Sequence, residues 1–275
     1  MTELPFHILA AGRFAREQVR IDYSPAARPT VDDLERLIAA EWDKRLALAQ
    51  AQGRVLFNGD LFRYLDHQMT DTTFTITVGP TCYRDFVGTN LYNHHRLAEF
   101  GWHTFANPVG TTATVLTADG RIVYGRRSSS VAYHANHVHT FGGTLEVADR
   151  AADGTIDAFD SVIRELFEEL GLRRDELRDL VCVGLIRDTE IVQPEMLFET
   201  RIDLTEADLV ARWQTAEARD EHDGLVGLDD TRDAIVPFIQ SCGPIAPVAI
   251  GALLLHGRHR WGDDWYAQAK RQLTA

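Results

Sequence analysis

Arg164-Glu165-Leu166-Phe167-Glu168-Glu169-Leu170-Gly171-Leu172 carries more information than any other stretch of this 275-residue chain. On an α-helix, residues three and four apart share a face. With Glu165 at zero and about 100° per residue, Glu168 falls near −60° and Glu169 near +40°. Three carboxylates therefore crowd one stripe. Phe159, Val162, Ile163, Leu166 and Leu170 fall on roughly the opposite side, the spacing of a helix that packs on a core. Gly171 supplies the residue at which such a helix stops. Like charges this close repel, so the stripe costs stability unless a cation sits on it. Arg164 is placed to pair with Glu168 at i,i+4. Glu165 and Glu169 then point at a common spot, and hard oxygen ligands so arranged suit Mg²⁺, with Mn²⁺ as a substitute. A solvated acidic helix face is the ordinary outcome of a generic E-x-x-E-E, but the flanking Arg and Gly in register make it the weaker reading.

The string resembles the core of the Nudix box, Arg-Glu-apolar-x-Glu-Glu-x-Gly-apolar. Upstream, Gly142-Gly143-Thr144-Leu145-Glu146 resembles the opening of that box. The spacing departs from the family: seven extra residues lie between Gly143 and Arg164, and counting back from Arg164 puts Ile156 where the box has its first Glu. Glu146, Asp149, Asp153 and Asp157 are the candidates for that orienting role. The resemblance implies an α/β fold, a Nudix α/β/α sandwich over residues 106–275. A small mixed α/β unit over residues 1–105 precedes it.

Composition sets outer limits. Apolar residues make up 45% of the chain, enough for a full core. A net charge of −13 disfavours nucleic acid and anionic membranes as partners. Cys82, Cys182 and Cys242 are scattered and odd in number, which fits a reducing cytoplasm better than a disulfide framework. Met1 to Pro5 lacks the basic and apolar regions of a signal peptide, and the longest apolar run, Ile245 to Leu255, is too short to span a bilayer. A homo-oligomer is possible, but the sequence does not show one.

In chain order, Phe6–Ala10 and Gln18–Tyr23 read as strands, followed by a helix from Thr30 to about Gln50. Val55–Phe57 and Leu61–Leu65 flank Asn58-Gly59 as a hairpin, and Thr73–Val78 alternates as a strand. The segment Gly79 to Asn90 reads as a loop carrying Tyr83, Arg84, Asp85, Phe86, Thr89 and Asn90. Its aromatic, guanidinium and amide groups suit stacking on a base while holding phosphate, although turn-formers and core-capping aromatics are also what an ordinary loop contains. This loop resembles the corresponding segment of Nudix proteins that act as UDP-glucose pyrophosphatases in vertebrates. The similarity recurs at Glu17-Gln18-Val19, Trp42, Arg45-Leu46, Gly184 to Arg187 and Pro247 to Leu254.

Thr112–Leu116 and Arg121–Gly125 are strands around an Asp119-Gly120 turn, ending in Arg126-Arg127. Adjacent strand residues face opposite ways, so at most one of these arginines reaches a site. His137 and His139 share a strand face, as metal ligands would, but with no third ligand at zinc-like spacing they and His134 read as structural or polar-lining groups. The resemblance implies a further carboxylate, metal ligand or base, on an element after the box, and Glu195 on a strand and Glu221 in a loop are the candidates.

The resemblance implies Mg²⁺-dependent hydrolysis of the pyrophosphate bond of a nucleoside diphosphate sugar, UDP-glucose or UDP-galactose, to UMP and sugar 1-phosphate. Glu165, Glu168, Glu169 and the carbonyl of Gly143 would hold the metal, and Arg84 with Arg126 or Arg127 would offset phosphate charge. The rivals are a Nudix hydrolase of ADP-ribose or another nucleoside pyrophosphate, and a nucleotide-sugar sensor that does not cleave.

Overall fold

The computed structural model describes residues 3–131 and 133–275. The chain begins with strands β1 (Phe6–Phe14) and β2 (Val19–Tyr23), helix α1 (Asp32–Ala51), and strands β3 (Asp60–Met69) and β4 (Phe74–Cys82). Short helices α2 (Tyr83–Phe86) and α3 (Leu97–Phe100) lead into β5 (Gly110–Leu116), β6 (Arg121–Arg127), β7 (Val138–His139) and β8 (Phe141–Thr144). Then come α4 (Ala158–Leu170), β9 (Leu177–Asp188), β10 (Pro194–Ile202), α5 (Glu206–Trp213) and β11 (His222–Asp229). Helices α6 (Ile235–Ser241), α7 (Pro247–Trp261) and α8 (Asp263–Thr274) complete the series.

A large sheet runs β1-β9-β10-β5-β6-β11, with β8 beside β5 and β7 beside β6. Its one parallel neighbour pair is β10 with β5, in register from Glu195↔Gly110 to Arg201↔Leu116. That pairing places Glu195 at the same end of the sheet as the Gly142-Gly143 strand, which joins β5 through Thr111↔Gly143. A smaller sheet, β2-β4-β3, stands apart.

The two faces of the large sheet are covered differently. On one, α4 buries Phe159, Val162, Leu166 and Leu170 against Ala113, Met196 and Phe198, and the small sheet adds Phe62, Phe74, Ile76 and Val78 to the same core. On the other, α7 buries Val248, Ile250 and Leu253 to Leu255 against Ile122, Tyr124, Ile186 and Leu197. Each such side chain taken out of water contributes roughly 1.5–3 kcal/mol. The result is the α/β/α sandwich expected from the sequence. Strand β1, from within the first 105 residues, is an edge strand of this large sheet and pairs with β9 (Phe6↔Asp188 to Phe14↔Cys182).

Helix α4 is the element the sequence describes best. Asp157 caps its first turn by accepting from the Phe159 N–H at 2.8 Å. Gly171 ends it in the left-handed region at φ 70°, with its own N–H and that of Leu172 returning to the carbonyls of Phe167 and Leu166.

Two local expectations fail. Val55–Phe57 is coil, with Val55 and Phe57 largely exposed, and β3 pairs with β4 through a turn at Thr70–Thr73. Asn58 forms no hairpin because its side chain accepts the Arg84 N–H at 2.7 Å, while the Gly59 carbonyl accepts from Tyr83. Nor is Gly79 to Asn90 a loop: it continues β4 to Cys82, then coils through α2 and a wide helical turn over Val87–Leu91. Gly88 allows that turn to lie on α1, since a Cβ there would stand 2.6 Å from Ile38 Cα.

Candidate active site

The three glutamates of α4 differ sharply in surroundings. Glu169 is buried, and one oxygen accepts the Gly142 N–H at 3.0 Å. Its Oε2 has no hydrogen-bond partner, although His222 Nδ1 stands 3.8 Å away. Burial, with Glu221 and Glu165 adding repulsion, raises its pKa well above the ordinary carboxylate range. Glu165 is pushed up to about 7, chiefly by burial; Arg164 opposes that shift and Glu168, Glu221 and Glu146 add to it. Its carboxylate lies directly over Gly143, where a Cβ would sit 2.3 Å from Oε1. Glu168 is the most exposed of the three.

Arg164 departs from expectation in one respect. Its Nη1 is 2.9 Å from Glu165 and 3.5 Å from Glu168, so the guanidinium stands between the two rather than on Glu168 alone. Its Nε faces Asp149 at 3.4 Å. Of the four candidates for the orienting role, Asp149 is the one in ion-pair range of Arg164, while Glu146 acts on the same guanidinium at longer range. Ile156 is buried in the core, Asp157 caps α4, and the Asp153 side chain accepts from the Thr155 N–H within its own turn. The seven extra residues 150–156 form a self-closed excursion, joined at its base by an Arg150↔Ile156 bridge and an Ala151 N–H to Thr155 carbonyl bond. Counted forward from Gly143, Asp149 holds its place and the insertion follows it.

Of the two adjacent arginines, Arg126 is tied to the carbonyls of Asn136 (3.1 Å) and Cys242 (2.8 Å), outside the site. Arg127 is buried, with its guanidinium 5.0 Å above the Tyr133 ring and its Nε unpartnered. It forms no ion pair among the described residues, yet its charge acts on Glu169, Glu195, His139 and His222 together. Glu195, at the start of β10, is pushed up to about 8 by burial, with Asp188 adding and Arg127 opposing. Glu221 ends the 3₁₀ turn before β11 and lies within electrostatic range of Glu165 and Glu169. Glu195 and Glu221 thus flank Arg127 from different elements.

The sequence reading missed His222. It is fully buried, held down to about 4 by burial and by Arg127, and so stands neutral beside Glu169. Its adjacency to Glu221 was the available signal. His134, His137 and His139 cluster with ring centroids 5.4 and 6.0 Å from His134. His139 Nδ1 faces the Thr140 carbonyl at 2.8 Å, and burial lowers its pKa, so His139 itself is a neutral polar group.

The segment from Tyr83 to Asn90 divides. Phe86, Thr89 and Asn90 are buried. Asn90 Nδ2 donates to Asn107 Oδ1 (3.0 Å) and to the Ile191 carbonyl (3.1 Å), and Thr89 Oγ1 accepts the Ala106 N–H (3.1 Å), which staples this segment to the sandwich. Asp85 holds the buried Arg28 at 2.9 Å. Tyr83 packs edge-on to Trp42, and Arg84 pairs with Asp85 at 3.3 Å. Phe86 meets the edge of Tyr133, the ring beneath Arg127.

Among the described residues no three acidic, histidine or cysteine side chains converge as a ready coordination shell. Arg164 stands between Glu165 and Glu168. The donors themselves are hard carboxylate oxygens, one of them buried and unpartnered, in a site short of neutralising charge. They fit a divalent cation such as Mg²⁺.

An α/β/α sandwich that sets a glutamate-striped helix against a Gly-Gly strand is built as Nudix hydrolases are. No family model matches the chain. Its relatives bear the resemblance out. Uridine diphosphate glucose pyrophosphatase NUDT22 of Mus musculus is 26% identical across 90% of this chain and 88% of its own length. The Homo sapiens protein of the same name is 25% identical, covering 90% and 89%. Nudix hydrolase 9 of Arabidopsis thaliana is 28% identical, covering 78% and 80%. Among solved structures, DR0079 from Deinococcus radiodurans aligns with a TM-score of 0.39 at 16% identity, over 53% of this chain and 80% of its own.

Proposed function

We propose that the chain is a Nudix pyrophosphohydrolase that cleaves a nucleoside diphosphate sugar, UDP-glucose or UDP-galactose, to UMP and sugar 1-phosphate. The observation that carries the proposal is the pairing of opposite deficits in one site: an acidic cluster on α4 short of cations, and beside it a buried guanidinium, Arg127, held in no ion pair among the described residues. A divalent metal supplies the first and a substrate pyrophosphate the second. Similarity along nine-tenths of the chain to relatives named for UDP-glucose favours that substrate class.

Glu165, Glu168 and Glu169, with the Gly143 carbonyl, would hold Mg²⁺ or Mn²⁺, which when bound offsets charge developing on the pyrophosphate and orients the attacking water. Asp149 anchors the Nε side of Arg164 and so holds its guanidinium against Glu165 and Glu168, which fixes the stripe. His222, neutral and buried, keeps the inner oxygen of Glu169 from gaining a competing cation. Arg127 receives phosphate charge in a dry setting, where a fixed donor is worth most. Glu221 or Glu195 accepts the proton from water, and the raised pKa of Glu195 suits a group that must take up and release a proton near neutrality. Tyr83, a partly buried ring packed edge-on to Trp42 and Phe86, is the group proposed to meet the base.

The test is product analysis by phosphorus NMR over a panel of nucleotide sugars. UMP and glucose 1-phosphate from UDP-glucose, abolished by chelator, is the expected result. Cleavage of ADP-ribose with UDP-glucose untouched would overturn the substrate, and absence of any cleavage with Mg²⁺ or Mn²⁺ would leave a binding protein.

A further inference from the structure

We propose a second ligand site on the α7 face of the sheet, a basin lined by Arg13, Arg201, His256, His259 and Arg260 that takes a phosphate group. The basin is a solvent-open depression of about 230 Å³, room for a tetrahedral oxyanion carrying a small organic group. Five of its six lining residues are basic, in a chain of net charge −13.

The buried carboxylates here are already committed. Glu199 gives one oxygen to Arg13 (3.1 Å) and the other to His256 Nδ1 (2.6 Å), and Asp230 Oδ1 meets His256 Nε2 (2.8 Å) and Arg260 (3.4 Å). Held between two carboxylates, His256 is raised to about 9 and stays charged at neutral pH. His259 is lowered by burial and counts as neutral. The local sum is four cations, Arg13, Arg201, Arg260 and His256, against two anions, Glu199 and Asp230. Arg201 forms no ion pair or side-chain hydrogen bond among the described residues.

Cations in the last turn of a helix ordinarily answer its dipole, which accounts for Arg260. It does not account for Arg13 on β1 or Arg201 on β10, which reach the basin from strands. Residues 197, 199 and 201 of β10 alternate with Met196 and Phe198 of the α4-side core, so the basin opens on the sheet face away from the glutamate stripe.

The experiment is calorimetric titration of the metal-free full chain with inorganic phosphate and, separately, with a hexose 1-phosphate, at fixed ionic strength set by chloride. Phosphate is expected to bind at millimolar or lower concentration. Arg201→Ala should weaken it at least tenfold, while Glu168→Gln leaves it unchanged. Tighter binding of the hexose ester identifies a phosphate monoester as the ligand, and equal binding identifies free phosphate. The proposal is overturned if phosphate gives no heat beyond chloride, if Arg201→Ala and Arg260→Ala both bind as wild type, or if Glu168→Gln abolishes binding. Arg201 is exposed and makes no ion pair or side-chain hydrogen bond among the described residues, so its variant keeps the test meaningful should Arg260→Ala misfold.

Discussion

At the scale of single residues, the site is defined by charges that lack partners. Arg127 is the clearest case. A buried guanidinium without a carboxylate costs folding free energy, so Arg127→Met should hold or raise melting temperature without metal. The same change should lower turnover by about 10²–10³, the scale of one lost charge-stabilising donor. An unstable yet active variant would make Arg127 structural. Glu168→Gln should likewise reduce turnover by about two or more orders of magnitude, with stability unchanged or higher because a like-charge contact is gone. Asp149→Ala should release Arg164 and slow turnover, with Asp149→Glu restoring it, measured as kcat at saturating Mg²⁺. Much of this site is legible in the amino-acid sequence. Helical periodicity alone puts the three carboxylates of α4 on one stripe. Strand alternation shows that Arg126 and Arg127 part company, but choosing between them needs the carbonyls of Asn136 and Cys242, which no local pattern supplies. His222 is hidden for the same reason: its contact with Glu169 is made across two elements distant in sequence.

At the scale of elements, α4 is readable because cap, stripe and Gly171 all agree. The box insertion is not, since counting back from Arg164 and forward from Gly143 give different answers. Only the Arg150↔Ile156 bridge decides between them. The Asn58-Gly59 turn signal loses to a tertiary use of the same side chain, the bond to Arg84. The helical run from Tyr83 to Leu91 reads as a loop when its turn-formers are weighed without the surface of α1. Its burial changes what mutations there should do. Phe86→Ala should cost about 3–5 kcal/mol of stability, and Asn90→Ala about 1–3 kcal/mol for buried groups left unpaired. Neither should reorder substrates. Tyr83→Ala, if this ring meets uracil, should cost about 1–3 kcal/mol in kcat/KM for UDP-sugars relative to ADP-sugars. A lower melting temperature with the ranking unchanged would make Tyr83 packing alone.

Across the whole molecule, titration gives a signed expectation. Glu165 and Glu195 are raised to about 7 and about 8, so the folded chain holds protons the unfolded chain has released. Their contribution is present near pH 4.5 and is lost as pH rises through 7 to 8. His256, raised to about 9, acts in the same direction above pH 6.5. Glu199, lowered to about 2, contributes stability above pH 4.5 that is lost as pH falls from there through 2, while His222, lowered to about 4, takes stability away as pH falls below 6.5. Metal-free melting temperature should therefore be highest in mild acid and fall by about 5 °C or more toward pH 9. Mg²⁺ should flatten that slope, because a cation binds the ionised carboxylates that alkaline pH produces. Scanning calorimetry with and without Mg²⁺ checks it, and a metal-free curve that rises toward pH 9 would contradict the assignment. No helix among the described residues is long and apolar enough to cross a membrane.

The edge position of β1 has a consequence in time. Phe6 pairs with Asp188, 182 positions later in the chain. At the pace of translation, about 5–20 residues per second, the first strand leaves the ribosome roughly 10–40 s before its partner exists. During that interval the nascent chain carries an unpaired, half-apolar ribbon, the kind of surface that chaperones hold and that self-associates when they do not. Slow synthesis or chaperone depletion should lower the yield of this protein before it touches its activity, and a circular permutant that delivers β1 after β9 should recover it.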